Sequence, residues 1–321
     1  MRAAQVITPT GPRDVEVRDV PEPEAGAGQV LVEVHSVGIS FPDLLLSKGE
    51  YQLKPEPPFT LGVDFAGVVL SGEGFAPGQR VCGVGGWGGA AEVVASPADF
   101  TFALPDATSY DEGAALPMNY LTADFALYER AGLREGETVL VHGAAGGVGT
   151  ASIQVARGMG ARVIAVVSTE EKARVAKDAG ADEAVLLDGF KDAAMELTGG
   201  TGVDVVVDVV GGDAFTDSLR ALAPQGRLLV VGFAAGQGIP QVKVNRLLLN
   251  NVDVRGVGWG AYAMARPGYM QEQWQRLVPM LESGVVAPPI GATYPLEEFG
   301  RALVDMEERR TLGKSVVRVR P

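Results

Sequence analysis

The residues best suited to chemistry in this chain lie between positions 137 and 172, in ETVLVHGAAGGVGTASIQVARGMGARVIAVVSTEEK. An apolar, strand-like run leads into Gly143, Gly146, Gly147 and Gly149, with Ala144 where the usual GxGxxG pattern has its first glycine. Glycines so placed let backbone approach a pyrophosphate, and a helix opening near Val148 aims its unpaired N–H groups and positive dipole end at the same charge. Ala145, Gly146, Gly147 and Val148 are the expected phosphate cradle. A dinucleotide fold usually carries Asp or Glu about 20 residues further on, where a carboxylate accepts the ribose 2′-hydroxyl. Here Ser168 and Thr169 stand in that place, with Lys172 close behind. A carboxylate repels a 2′-phosphate, whereas a hydroxyl and an ammonium bind one, so the pattern predicts NADPH before NADH. Glu170 and Glu171 suit the first turn of the following helix, whose dipole favours acids there. The competing reading is a bare strand-to-helix turn beside a solvated lysine, and the surrounding strand–helix–strand context opposes it.

Such residues need a scaffold of alternating strands and helices. Beyond residue 122, strand patterns at 138–142, 161–167, 184–187, 203–210, 227–232 and 252–257 alternate with helical stretches. The strands are apolar throughout, as strands covered on both faces are, and this predicts a doubly wound parallel sheet in an α/β protein. The first hundred residues differ. Short apolar runs, VLVEVHSVG (30–38), DFAGVVL (64–70) and AAEVVAS (90–96), are separated by turn signals such as PEPEAGAG and APGQ, which predicts a compact β-barrel or sandwich. After residue 260, helical EQWQRLVPMLESG and LEEFGRALVDMEERR precede a strand-like KSVVRVR. That last strand has no place in a complete six-stranded sheet and is assigned to the first domain. The expected division is a discontinuous domain of residues 1–121 and 258–321 around a nucleotide-binding domain of 122–257.

Composition narrows the partners. With 27 basic and 40 acidic side chains the net charge is −13, which disfavours adhesion to nucleic acid or an anionic membrane. A single cysteine, Cys82, makes neither an intramolecular disulfide nor a thiolate zinc cluster. The start, MRAAQVITPTGPRDVEV, lacks the apolar core of a signal peptide, and no run reaches the ~18 apolar residues of a membrane span. A reducing, cytoplasmic setting and a small-molecule partner are expected.

Four linked segments resemble the medium-chain dehydrogenase/reductase superfamily, and within it the zinc-independent quinone oxidoreductases: VGISFPDLLLSKGEYQLKPEPPFTLGVDFAGVV, AALPMNYLTADFAL, VLVHGAAGGVGTASIQVA and RRTLGKSVV. The resemblance implies a Rossmann domain inserted into a GroES-like barrel, an active site in the cleft between them, and a homodimer. It further implies that Ser168 and Lys172 meet the adenosine 2′-phosphate, that Arg309 reaches the same cofactor, and that Thr122 packs beside the nicotinamide. Gly232 and Phe233, with Val257 and Trp259 in GVGWG, are similar to loops that hold the nicotinamide carboxamide through backbone groups. The chain departs from the family at Asp188 in LLDGF, where a tyrosine often stands near the adenosine.

The alcohol dehydrogenases of the superfamily hold catalytic zinc at positions that match Ser40 and Phe41, Val63 and Asp64, and Met118. Only Asp64 in that set is a metal ligand by type, and His35 and His142 fall in expected strands as packed residues. No metal is expected. Without a metal or a placed base, removing an alcohol's proton near neutral pH is difficult, whereas a quinone or conjugated enone accepts hydride directly. The expected activity is metal-independent hydride transfer from NADPH to an electrophilic carbonyl compound. Ser40, Tyr51, Asn119 and Tyr120 are the candidates to line the cleft, with no obligatory acid or base. Tyr51 reads equally as a lid-loop residue, Asp43 as a helix cap, and Asn119 and Tyr120 as residues shaping the domain junction. Two alternatives remain: a 2-enoyl thioester reductase of the enoyl-CoA type, and a non-enzymatic NADPH-binding protein.

Overall fold

Side chains along Gln29–Gly38 alternate between half-buried and buried and then end in three buried residues, as on a strand with one face against a core. In the computed structural model, which describes residues 1–320, this strand organises the first of two units. That unit comprises Met1–Asn119, Met270–Trp274 and the residues from Pro288 onward. It begins with β1 (Arg2–Val6), β2 (Val15–Asp19), β3 (Gln29–Gly38), β4 (Phe59–Thr60), β5 (Asp64–Gly72), β6 (Arg80–Val84), β7 (Val93–Pro97) and β8 (Thr101–Ala103). Helix α1 (Phe41–Ser47) follows β3, and α2 (Tyr110–Ala115) and α3 (Pro117–Asp124) follow β8. A cluster of buried Val, Leu, Ile and Phe side chains, including Val32, Ile39, Leu61, Phe65 and Val81, fills the interior of this unit.

The second unit holds Tyr120–Tyr269 and Gln275–Ala287. Its strands β9 (Thr138–His142), β10 (Arg162–Val167), β11 (Glu183–Leu186), β12 (Val203–Asp208), β13 (Leu222–Val230) and β14 (Asp253–Gly256) form a parallel sheet in the order β11-β10-β9-β12-β13-β14. Strands β9, β10 and β12 are almost wholly buried, in accord with their valine-rich composition. Helix α4 (Gly147–Gly158) leaves β9 and α5 (Glu170–Asp178) leaves β10. The order reverses between β9 and β12, and ligands of such sheets bind outside the carboxyl ends of the strands at this reversal.

The chain closes with β15 (Ile290–Pro295) and β16 (Lys314–Arg318), both in the first unit, where β16 pairs antiparallel to β3. The larger sheet of that unit runs β15-β16-β3-β5-β6-β8, with β7 also on β3, and a smaller one runs β2-β1-β4. The unit boundaries differ from the sequence expectation after residue 258. Residues up to Tyr269, and again Gln275–Ala287, pack with the nucleotide-binding unit, while Met270–Trp274 pack with the first. The helix Tyr269–Glu282 is thus shared: Trp274 stacks on Phe102 in the first unit, whereas Arg276 bonds Asp124 in the second. A helix with apolar and charged anchors pointing different ways carries no boundary signal in its periodicity.

One ion pair ties the core of the second sheet. Arg227 of β13 is buried, donates to both Glu137 oxygens at 2.9 and 2.6 Å, and also reaches the Ala131 carbonyl. Replacing Glu137 by Leu leaves that guanidinium without its counter-charge and is expected to lower stability by about 3 kcal/mol. Urea unfolding checks this, and a loss under about 1 kcal/mol contradicts it.

Candidate functional site

The glycine turn sits at the carboxyl end of β9, with Gly146 as the residue before α4. A Cβ on Gly149 would lie 2.2 Å from the Gly143 carbonyl oxygen, so this first turn packs against the strand only with glycine. Gly146 N–H bonds Gly143 O at 2.9 Å, the next N–H to close back is that of Thr150, onto Gly146 O at 2.8 Å, and no side chain caps the helix. The N–H groups of Gly147, Val148 and Gly149 between them take no backbone or capping partner, an arrangement suited to an anion. Ser168 follows β10 in an exposed position, and Thr169 caps α5, its hydroxyl accepting from Lys172 N–H at 3.3 Å. The Lys172 ammonium reaches back to Ser168 Oγ at 3.3 Å. A hydroxyl and an ammonium thus stand together beyond β10 where a carboxylate usually stands. This donor set fits a phosphorylated ribose.

The other expected cofactor residues of this unit follow the same strand ends. Gly232 and Phe233 come just after β13, with Phe233 exposed. Val257 and Trp259 follow β14, where Val257 N–H bonds Val230 O at 2.9 Å and both side chains are buried. Thr122 is buried in α3. Arg309 belongs to the first unit, after the helix Phe299–Glu307, with a left-handed φ of 58° and an exposed side chain. Asp188 is exposed beyond β11.

The first unit holds a polar cluster in its interior. Ser40 precedes α1 and Asp64 opens β5, and Ser40 Oγ donates to Asp64 Oδ2 at 2.8 Å. Lys314, the first residue of β16, donates from Nζ to Ser40 Oγ at 2.6 Å and to Asp64 Oδ2 at 2.8 Å. Asp64 Oδ1 accepts from Met118 N–H at 2.8 Å. Asp43 accepts from Ser40 N–H at 3.1 Å, which makes it the helix cap its spacing suggests, and also from Gly62 N–H at 2.8 Å. All four side chains, Ser40, Asp43, Asp64 and Lys314, are under 5% exposed. Tyr51 is half-buried and packs against the adjoining apolar core; burial, then the charge on Asp43, raises its phenol. Burial, helped by Asp64, pushes the Cys82 thiol well up, so it remains a protonated core residue.

Ser40 and Tyr51 therefore share one neighbourhood, around Asp43. Asn119 is buried with its amide 3.4 Å from Ala115 O, a contact that steadies the start of α3. Tyr120 does not fit its expected place at a cleft. It is 1% exposed in the second unit, its hydroxyl donates to Gln154 Oε1 at 2.6 Å, and burial raises its phenol. It serves packing, because Gln154 in turn holds Ala287. Lys314 was not among the expected site residues. The available signal was a lysine heading the otherwise apolar strand KSVV, a position where a solvated charge has no face to occupy.

A dehydrogenase-type nucleotide unit joined to a mainly antiparallel β unit defines the class, and comparison with known proteins agrees. The alcohol dehydrogenase GroES-like domain matches residues 26–106 and the zinc-binding dehydrogenase domain matches 147–283. A probable oxidoreductase from Mycobacterium abscessus, of known structure, is 44% identical, with 99% of this chain and 98% of that one covered at a TM-score of 0.90. The quinone oxidoreductase from Thermus thermophilus, solved also as its complex with NADPH, is 36% identical, with 99% and 100% covered and a TM-score of 0.86. Quinone oxidoreductase-like protein 2 of Rattus norvegicus is 38% identical over 305 residues, 93% of this chain and 87% of that protein. The chain belongs to the medium-chain dehydrogenase/reductase superfamily, among its quinone oxidoreductase-like members.

Zinc, implied by one of those domain descriptions, does not fit the donors present. Asp64 is the sole carboxylate at the matching positions and is already bonded to Lys314, Ser40 and Met118 N–H. His35 stacks on Tyr110 with ring centroids 4.3 Å apart. His142 lies in the second unit with Nε2 2.8 Å from Ser218 Oγ, and burial, partly offset by Asp208, pushes it down to about 4. Among the described residues no group of three or more His, Cys, Asp or Glu is arranged to hold a metal ion.

The buried Asp43 carries a pH signature. Burial pushes its carboxyl up to about 7; the Asp64 charge adds to the rise, while the Gly62 N–H, the Lys314 charge and the Ser40 N–H oppose it. An unfolded Asp titrates near ~4, so between those values the folded protein holds a proton the unfolded chain has lost. The stabilisation is full below the unfolded value and is lost as pH rises through about 7. Urea unfolding from pH 5 to 8 is expected to show wild-type stability falling relative to Asp43→Asn, whereas parallel profiles contradict this.

Proposed function

We propose that this chain is an NADPH-dependent reductase that transfers hydride to quinones or related conjugated carbonyl compounds without a metal. The observation that carries this reading is the bond between Lys314 and Asp64, since the one carboxylate at the metal-ligand positions is already neutralised by a side chain. Alcohol oxidation needs a Lewis acid or a base to take the hydroxyl proton. A quinone or enone already carries a polarised π-system and needs chiefly to be held roughly 3 to 3.5 Å from the donor carbon.

NADPH, when bound, supplies the hydride. The N–H groups at the start of α4 hold its pyrophosphate, and Ser168 and Lys172 hold the 2′-phosphate. Backbone at Gly232, Phe233, Val257 and Trp259 orients the nicotinamide, with Thr122 beside it and Arg309 reaching the cofactor. Ser40 supplies a hydroxyl to the acceptor's oxygen and Tyr51 bounds the space it enters. The NADPH complex of the Thermus thermophilus relative supports the cofactor, and the names of the relatives support the acceptor class.

A homodimer accords with the apolar surface of the second unit. Strand β14 is the last in its sheet order, and Ile239, Val244, Leu248 and Leu249 nearby in sequence are each more than 70% exposed. A strand at the end of its sheet and exposed apolar side chains in the same unit suit a second copy of the chain. A cytoplasmic setting suits the single, buried Cys82, and no helix among the described residues is long and apolar enough to cross a membrane.

NADPH oxidation with 1,4-benzoquinone or 9,10-phenanthrenequinone is expected to exceed that with a crotonyl thioester. Turnover of the thioester alone favours the enoyl reductase, and tight NADPH binding without any turnover favours a binding protein. Lys172→Ala is expected to weaken NADPH about three- to tenfold while changing NADH less than about twofold, because it removes one partly solvated charge-assisted bond. Fluorescence titration reads both constants, and equal losses refute the assignment of Lys172.

A further inference from the structure

Lys314 is placed at some expense to the strands around it. Its stem runs over Gly38, where a Cβ would stand 2.8 Å from Lys314 Cε and 2.1 Å from the Ala114 carbonyl oxygen, so β3 gives up a side chain to admit it. The ammonium is desolvated, and a buried ion pair of this kind is often no more stabilising than an apolar replacement of the same volume. Stability alone is a weak reason for its presence.

The hydrogen bonds suggest a stronger one. Ser40 Oγ accepts from Lys314 at 2.6 Å and sends its single proton to Asp64 Oδ2. Asp64 does not depend on that proton, because Oδ2 also receives Lys314 and Oδ1 receives Met118 N–H. The Ser40 hydroxyl can therefore turn to another acceptor while the carboxylate stays compensated. A hydroxyl that accepts from an ammonium is polarised into a stronger donor. We propose that Lys314 is a positioning residue that acts through Ser40 Oγ, a fixed internal cation whose charge holds the acceptor's oxygen and stabilises the negative charge hydride addition leaves there. The inference rests on the acceptor class proposed above. The hydride pair enters the acceptor's π-system, its oxygen becomes anionic against Ser40 O–H, and the proton that completes reduction comes from water. Lys314 gives up no proton in this step, playing the part that preorganised donors play at a developing oxyanion.

The probe is 4-nitrophenol, whose phenolate absorbs visibly, titrated into the protein saturated with NADP⁺. Wild type is expected to bind the phenolate at least about tenfold more tightly than the phenol, which lowers the apparent ionisation of the bound probe by about one pH unit. Lys314→Met is expected to abolish this preference and to lower kcat for quinones about tenfold or more, and Lys314→Arg to retain part of both. Because Lys314→Met strands Asp64, the Lys314→Met/Asp64→Asn double variant is measured beside it, with circular dichroism and NADP⁺ affinity reporting the fold. A folded double variant that keeps the wild-type phenolate preference overturns the inference, as does a wild type that binds both forms equally or neither. Quinone turnover with an unaltered phenolate preference in the variants rejects the role of Lys314 and leaves the acceptor class standing. A Lys314-dependent phenolate preference without quinone turnover rejects the acceptor class instead.

Discussion

A carboxylate removed from water has to be neutralised where it lies, and in the first unit Asp64 is neutralised by Lys314, with Ser40 bonded to both. This triad links the residue before α1, the first residue of β5 and the first residue of β16. The partners of Lys314 lie 250 and 274 residues away in the chain. The antiparallel pairing of β16 with β3 brings the ammonium to them, and Gly38 on β3 leaves room for its stem. A second carboxylate, Asp43, lies near enough to feel both charges, and burial raises its ionisation.

The second unit handles negative charge by different means. The phosphate cradle proposed for it is backbone, three N–H groups at the start of α4 that no carbonyl or side chain uses, so that chemistry would depend on chain geometry more than on residue identity. In the proposed reading, selection of the cofactor's phosphate falls to two side chains, Ser168 and Lys172, at the end of a neighbouring strand. The parallel sheet places both at its carboxyl edge because each strand is followed by a right-handed crossover to a helix. Positive charge is thus solvent-facing beyond β10, and fixed and buried in the first unit.

Several structural features of the candidate site were legible because their signals are local. Glycine spacing, the apolar run before it and the hydroxyl–ammonium pair after the next strand all lie within a stretch of chain that forms one strand–helix–strand unit. Asp43 as a helix cap was legible for the same reason, being three residues past Ser40. A tyrosine in NYLTA has no local feature to show whether its hydroxyl meets solvent or, as for Tyr120, Gln154. The course of residues 258–287 was likewise hidden, since a helix can bury one end against each unit without any change in its period.

The sequence by itself determined the alternation of strand and helix from β9 to β14, the glycine turn, and the lack of an acid after β10, since periodicity and spacing within a few turns of chain express these directly. Only the tertiary structure decided that Ser40, Asp64 and Lys314 meet, that Tyr120 is enclosed, and that the last strand delivers a cation to the first unit's interior. The physical reason is separation along the chain: a charge pair closed across hundreds of residues leaves no periodic trace, and the burial that gives it meaning belongs to the packed sheet.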